Sequence, residues 1–112
     1  MGTLMKKILF CFLMGFSGFV FADDQSLKLK YCESISEYAK NIMYKRQHGG
    51  QAIDSIKIIE NNVKNQTIKG MYLSIIKDAY KSPLWNSDEK KKEAETEFAN
   101  EALMICLDTF KD

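Results

Sequence analysis

From about residue 27 onward, apolar side chains return every three or four positions, the spacing that gathers them on one face of an α-helix. No stretch shows the two-residue alternation of a half-buried strand. The first predicted helix covers about residues 27–48, with Tyr31, Ile35, Tyr38, Ala39, Ile42 and Met43 on one side and Cys32 at the edge of that face. Gly49-Gly50 stops it, as glycine does just past a helix C-terminus. A second helix over about 51–61 carries the stripe Ala52, Ile53, Ile56 and Ile59. Asn61, Asn62 and Asn65 then break or kink the chain, because short polar amides compete with helical hydrogen bonding. The third helix has the cleanest pattern: Ile68, Met71, Tyr72, Ile75, Ile76 and Ala79 follow the i, i+3, i+4 rule. It ends at Ser82, since Pro83 disfavours helical geometry in the residue before it. After a short loop with Leu84 and Trp85, Ser87 is the expected N-cap of a fourth helix, with Asp88-Glu89 at the positive end of its dipole. That helix runs to about residue 110 and directs Ala94, Phe98, Ala102, Ile105, Cys106 and Thr109 inward. The expected fold is all-α, a small single-core bundle of about four helices.

Residues 1–22 follow a different rule. Lys6-Lys7 precede an apolar run of 14 residues ending at Phe21, and five of the seven phenylalanines lie in this segment. Val20 and Ala22 stand at −3 and −1 before the polar pair Asp23-Asp24, which is the arrangement signal peptidase accepts. The run is shorter than the about 20 residues needed to span a bilayer. The expectation is a signal peptide over 1–22, cleaved after Ala22, and a single helical domain over 23–112. Such a protein is periplasmic or secreted and is not held in a membrane after cleavage.

The whole chain balances 16 Lys+Arg against 15 Asp+Glu. Without the leader's two lysines, 90 residues remain, with 14 basic against 15 acidic side chains. Near-neutrality argues against nucleic acid as a partner, because phosphate recognition calls for a basic excess. Two cysteines remain, Cys32 and Cys106, and in an oxidising compartment such a pair reads as one disulfide. That bridge joins the first and last helices, which must then run antiparallel. A redox role would call for a close Cys-x-x-Cys pair, and the sequence has none.

Arg46 is the one arginine beside 15 lysines, and it projects from the middle of the first helix's apolar arc. It lies about 21 Å along the axis from Cys32, and Glu95 lies about 16 Å from Cys106 on the facing helix. An ion pair between Arg46 and Glu95 is therefore expected, or one with Asp88 in its place; the alternative is that Arg46 reaches past the helix end to cap carbonyls. His48, the only histidine, is placed to serve the helix C-terminus. Trp85 and Leu84 in the loop, with Tyr44 off the apolar face and Arg46, are the candidate partner-binding residues. Lys90-Lys91-Lys92 among Glu89, Glu93, Glu95 and Glu97 reads as a solvated face with i, i+4 pairs. Asn65-Gln66-Thr67 matches a glycosylation acceptor, a pattern short enough to arise by chance. No Gly-rich phosphate loop, nucleophile elbow or zinc spacing occurs, so no catalytic residue, cofactor or metal is expected.

The set Cys32, Ala39, Ile42-Met43, Arg46-Gln47 and Gly49, with Asp78-Ala79-Tyr80, Pro83 and Cys106, resembles small secreted single-disulfide helical proteins of Gram-negative bacteria and their prophages. The resemblance spans most of 23–112 and implies location and fold but no particular activity. In layout the chain is also similar to periplasmic acid-stress chaperones and to phage-encoded periplasmic proteins that block superinfection by inhibiting a lysozyme. The expected function is a non-enzymatic protein-binding module of inhibitor or immunity type, with another envelope or secreted protein as partner. The alternative is a periplasmic acid-stress chaperone, in which carboxylates sense the acid.

Overall fold

The helical periodicity becomes four helices in the computed structural model: α1 (Gly2–Gln47), α2 (Ala52–Asn62), α3 (Gln66–Lys81) and α4 (Asp88–Thr109). The structure describes residues 2–110, with side chains over 25–110. The leader assigned to 1–22 lies outside the described side chains. Among the described residues there is no strand, and no helix is long and apolar enough to cross a membrane. The chain forms two compact units, Met1–Tyr31 and Cys32–Asp112. The first is the N-terminal part of α1, which begins at Gly2 rather than near residue 27. All that follows concerns the second.

The helix ends follow from local chemistry. At the end of α1, Gly49 takes φ +89°, and the Gly50 N–H donates to the Lys45 carbonyl at 2.7 Å. This six-residue closure is the Schellman arrangement, and it needs a residue that tolerates the left-handed region. Asn65 caps α3 by accepting from the N–H groups of Thr67 and Ile68 at 3.0 and 3.1 Å. The Ser87 hydroxyl oxygen accepts from the Lys90 N–H at 3.1 Å, so the expected cap of α4 is present.

Ile42, Met43, Ile59, Ile76 and Ala79 form the buried centre, with Tyr38, Tyr72 and Phe98 packed around it. α2 packs on α3, its neighbour in sequence. The Cys32–Cys106 disulfide joins α1 to α4 across a separation of 74 residues, with the Cα atoms 5.6 Å apart. Cys32 is fully buried. The Ser36 hydroxyl donates to the Ala99 carbonyl at 2.8 Å, and Lys91 Nζ donates to the Gln47 carbonyl at 2.6 Å. These contacts run in opposite chain order and confirm the antiparallel pairing of the two helices.

In α2 and α4 most of the predicted stripe meets the core, Ala52, Ile56 and Ile59 in one and Ala94, Phe98 and Cys106 in the other, but some of its members do not. In α2, Ile53 is exposed and Ser55 is buried, because Ser55 stands one turn before Ile59 on the face that meets the core. In α4, Glu95 and Ala99 are buried, whereas Ile105 is 56% exposed and Thr109 is exposed. The C-terminal part of the α4 stripe borders an open cleft: Phe98, Ala102, Ile105, Cys106 and Thr109 line a cavity of about 320 Å³ facing α3.

Tyr38 packs edge-on against Tyr72, with ring centroids 4.6 Å apart. Burial, reinforced by Tyr72, pushes the Tyr38 phenol up from 10.0 to about 12. The raised value means that the folded state holds this proton more tightly than the unfolded chain does. Its contribution is complete below about pH 10 and is lost as pH rises toward about 12. Alkaline unfolding followed by circular dichroism is expected to show stability falling through that window, and Tyr38→Phe should flatten the fall; an unchanged slope would refute the assignment.

Candidate functional site

The end of the bundle where α1 stops and the Pro83 loop crosses over is organised by a residue with no mark in the sequence. Gln47, in the last turn of α1, is only 2% exposed. Its Nε2 donates to the Pro83 carbonyl at 2.9 Å, and its Oε1 accepts from the Trp85 N–H at 2.9 Å. Nε2 also lies 3.6 Å from Met43 Sδ. A single amide thus satisfies one acceptor and one donor of a loop that makes no helix of its own, fixing two residues of backbone at once. The only sequence signal for it was position: an amide one residue before His48 and Gly49, at the end of a face otherwise apolar.

Arg46 supplies the next tie. Its Nε and one terminal nitrogen donate to the Ser82 carbonyl at 3.2 and 3.0 Å, and its guanidinium lies 5.6 Å from the centroid of the Tyr80 ring. The expected pair with Glu95 does not form, nor does one with Asp88. The register explains it. With Cys32 beside Cys106 and Gln47 beside Lys91, Arg46 comes level with Lys91 and Lys92, and Glu95 falls about a turn nearer the disulfide. The Ser82 carbonyl at the end of α3 has no helical donor and takes the guanidinium instead. Tyr80, in the last turn of α3, donates from its hydroxyl to the Gly50 carbonyl at 2.8 Å, tying α3 to the turn between α1 and α2. Burial raises the Tyr80 phenol above its ordinary value; Arg46 opposes the rise and Asp54 adds to it.

The lysines of α4 also leave the pattern expected of them. Lys91 reaches the Gln47 carbonyl, and Lys90 Nζ sits 5.2 Å from the centroid of the Trp85 ring. Neither is paired with a glutamate, and among the described residues Glu93, Glu97 and Glu101 enter no ion pair.

The candidate partner-binding residues therefore divide. Leu84 (54% exposed) and Trp85 (37% exposed) project from a loop whose backbone is pinned on both sides. Arg46 is half-buried and belongs to the ties beneath them. Tyr44 is exposed but stands apart: its ring stacks on the His48 imidazole at 4.0 Å, and it does not line the cleft beside Trp85. His48 Nδ1 lies 2.7 Å from the Tyr44 carbonyl, the helix-terminal role expected of it.

Beside the loop lies a cleft of about 350 Å³, whose lining includes Met43, Pro83, Trp85 and Phe98 together with Glu93 and Glu97. It adjoins the groove of about 320 Å³ facing α3 through Phe98 and Glu101, which line both. Among the described residues no group of three His, Cys, Asp or Glu side chains is placed to hold a metal ion. No protein family, curated protein or solved structure matches this chain.

Proposed function

We propose that this protein is a secreted or periplasmic protein-binding module of inhibitor or immunity type, and that it engages another envelope protein through the bundle end bearing Leu84 and Trp85. The observation that carries this reading is the combination of exposure and restraint. Leu84 and Trp85 are open to solvent, yet the Gln47 amide, the Arg46 guanidinium and Lys90 hold the loop around them. An apolar projection that is already ordered loses little conformational freedom on docking, and tryptophan is the side chain most enriched among interface anchors. The disulfide and the absence of a long apolar helix among the described residues are compatible with an extracytoplasmic location.

The test is co-purification of the oxidised, tagged protein from periplasm at neutral pH and at about pH 3, below the ordinary carboxylate pKa range. One envelope protein recovered near equal stoichiometry at neutral pH is expected. Leu84→Ala/Trp85→Ala should reduce its recovery at least tenfold while leaving the helical circular dichroism intact. Many unrelated proteins recovered only in acid would overturn this reading in favour of an acid-stress chaperone.

A further inference from the structure

The loop between α3 and α4 is tied down on either side of one residue and left free at that residue. Before it, the Trp85 N–H is held by the Gln47 amide; after it, the Ser87 hydroxyl oxygen caps α4. Asn86 stands between the two ties, exposed and outside any helix. Among the described residues its side-chain amide enters no hydrogen bond, and the Ser87 N–H has no acceptor. The other five asparagines are placed differently. Asn41, Asn61 and Asn100 lie within helices, Asn62 donates to the Ile58 carbonyl, and Asn65 caps α3. Each of those five is followed by a residue bulkier than serine.

We infer that Asn86 is a site of self-modification, deamidating through a succinimide that it forms with the backbone of Ser87. The Ser87 nitrogen gives up its proton to solvent hydroxide and attacks the side-chain carbonyl carbon of Asn86. A carbon–nitrogen bond forms, the side-chain nitrogen leaves as ammonia, and a five-membered imide closes. Water then opens the ring at one of its two carbonyls. Opening at the side-chain carbonyl leaves aspartate in the ordinary chain; opening at the main-chain carbonyl leaves isoaspartate, with one extra carbon in the backbone. Ring closure needs a neighbouring nitrogen free of helical hydrogen bonding, an uncommitted amide and a small following side chain. Asn86 meets all three conditions, and no other asparagine does.

The two products act on the loop in opposite ways. Aspartate puts a carboxylate just before the Ser87 cap, at the positive end of the α4 dipole, where it is favourable. Isoaspartate lengthens the backbone between the Trp85 N–H and the Ser87 cap, two ties that the unmodified chain satisfies together. One tie then gives way, and the indole loses its fixed seat.

The full oxidised protein would be held in warm, mildly alkaline buffer and sampled over days as tryptic fragments. Cuts after Lys81 and Lys90 release fragment 82–90, in which Asn86 carries the only side-chain amide. Its deamidation is expected to run at least tenfold faster than that of any other asparagine, with isoaspartate the larger product. Asn86→Gln should abolish the change in that fragment, because glutamine would have to close a six-membered ring. Loss of amide at Asn86 no faster than at Asn61 or Asn62 would overturn the inference. Trp85 is the only tryptophan, so its emission reports on the loop. The isoaspartate-bearing fraction should emit at longer wavelength and melt at lower temperature, whereas Asn86→Asp should melt no lower than the parent. Isoaspartate-bearing protein with unchanged emission would refute the link to the loop. Neither readout requires a partner, so the outcome stands apart from the binding role.

Discussion

Reducing the Cys32–Cys106 bridge is expected to remove about 4 kcal/mol of stability, the loop-closure entropy restored to the unfolded chain. The closed loop spans 74 residues and takes in α2, α3 and the bundle-end site. A domain of this size holds roughly 5–10 kcal/mol in total, so the bridge is a large share of what keeps it folded. Both sulfur atoms are also buried among packed side chains, so Cys32→Ala/Cys106→Ala loses contacts as well as the cross-link. Urea titration of oxidised and reduced protein, followed by far-ultraviolet circular dichroism, measures the difference. A midpoint that hardly moves would show that the helices close without the clasp.

Replacing Gln47 is expected to have the second largest effect. Gln47→Leu fills the same space but leaves the Pro83 carbonyl and the Trp85 N–H without their partner. Each backbone group left unsatisfied costs about 1–3 kcal/mol, less where the loop can open to water. The loss is therefore expected at about 2–3 kcal/mol in unfolding free energy, with the remainder relieved by opening of the loop. That opening has its own signature: Trp85 emission should shift to longer wavelength and become more accessible to acrylamide. Gln47→Glu is a sharper variant. It keeps an acceptor for the Trp85 N–H but places a carboxylate against the Pro83 carbonyl at a buried position, so it should be at least as disruptive. If both variants melt like the wild type with unchanged quenching, the loop owes its order to something other than this amide.

The amino-acid pattern revealed the helices where one side of each is apolar. α3 shows this best: Ile75, Ile76 and Ala79, three of its periodic residues, are buried, and its stop stands where Pro83 implies, while Asn65, read only as part of a break, turns out to cap it. The disulfide and the antiparallel relation of α1 and α4 were legible too, because two cysteines allow one intramolecular pairing. α4 was harder, since it has apolar residues on more than one side. Ala94 and Phe98 of its stripe reach the core, Ile105 and Thr109 stay exposed at a cleft, and Glu95 and Ala99 are buried as well. At the candidate site, Leu84 and Trp85 were visible as loop apolar residues beside a proline. What the sequence hid was the pairing of polar groups. Arg46 looked like one half of an ion pair, but a carbonyl at a helix end is as good a destination, and periodicity cannot choose between them. Gln47 was hidden more deeply, because nothing in composition or spacing separates an amide that ties down a loop from one that faces solvent.

The contacts that hold the C-terminal part of α1 to the rest of the domain are distant in sequence. Gln47 meets Pro83 and Trp85 across 36 and 38 residues, Lys91 across 44, and Ser36 meets Ala99 across 63. By contrast, α2 and α3 adjoin each other along the chain. The entropy of bringing distant segments together therefore falls almost wholly on one event, the return of the last third of the chain to α1, while the α2–α3 hairpin can form from local encounters. Oxidation changes the search itself. Once the two sulfurs are joined, the disordered chain is a ring that already holds α1 near α4, and Gln47 looks for its loop within a small volume instead of along an open thread.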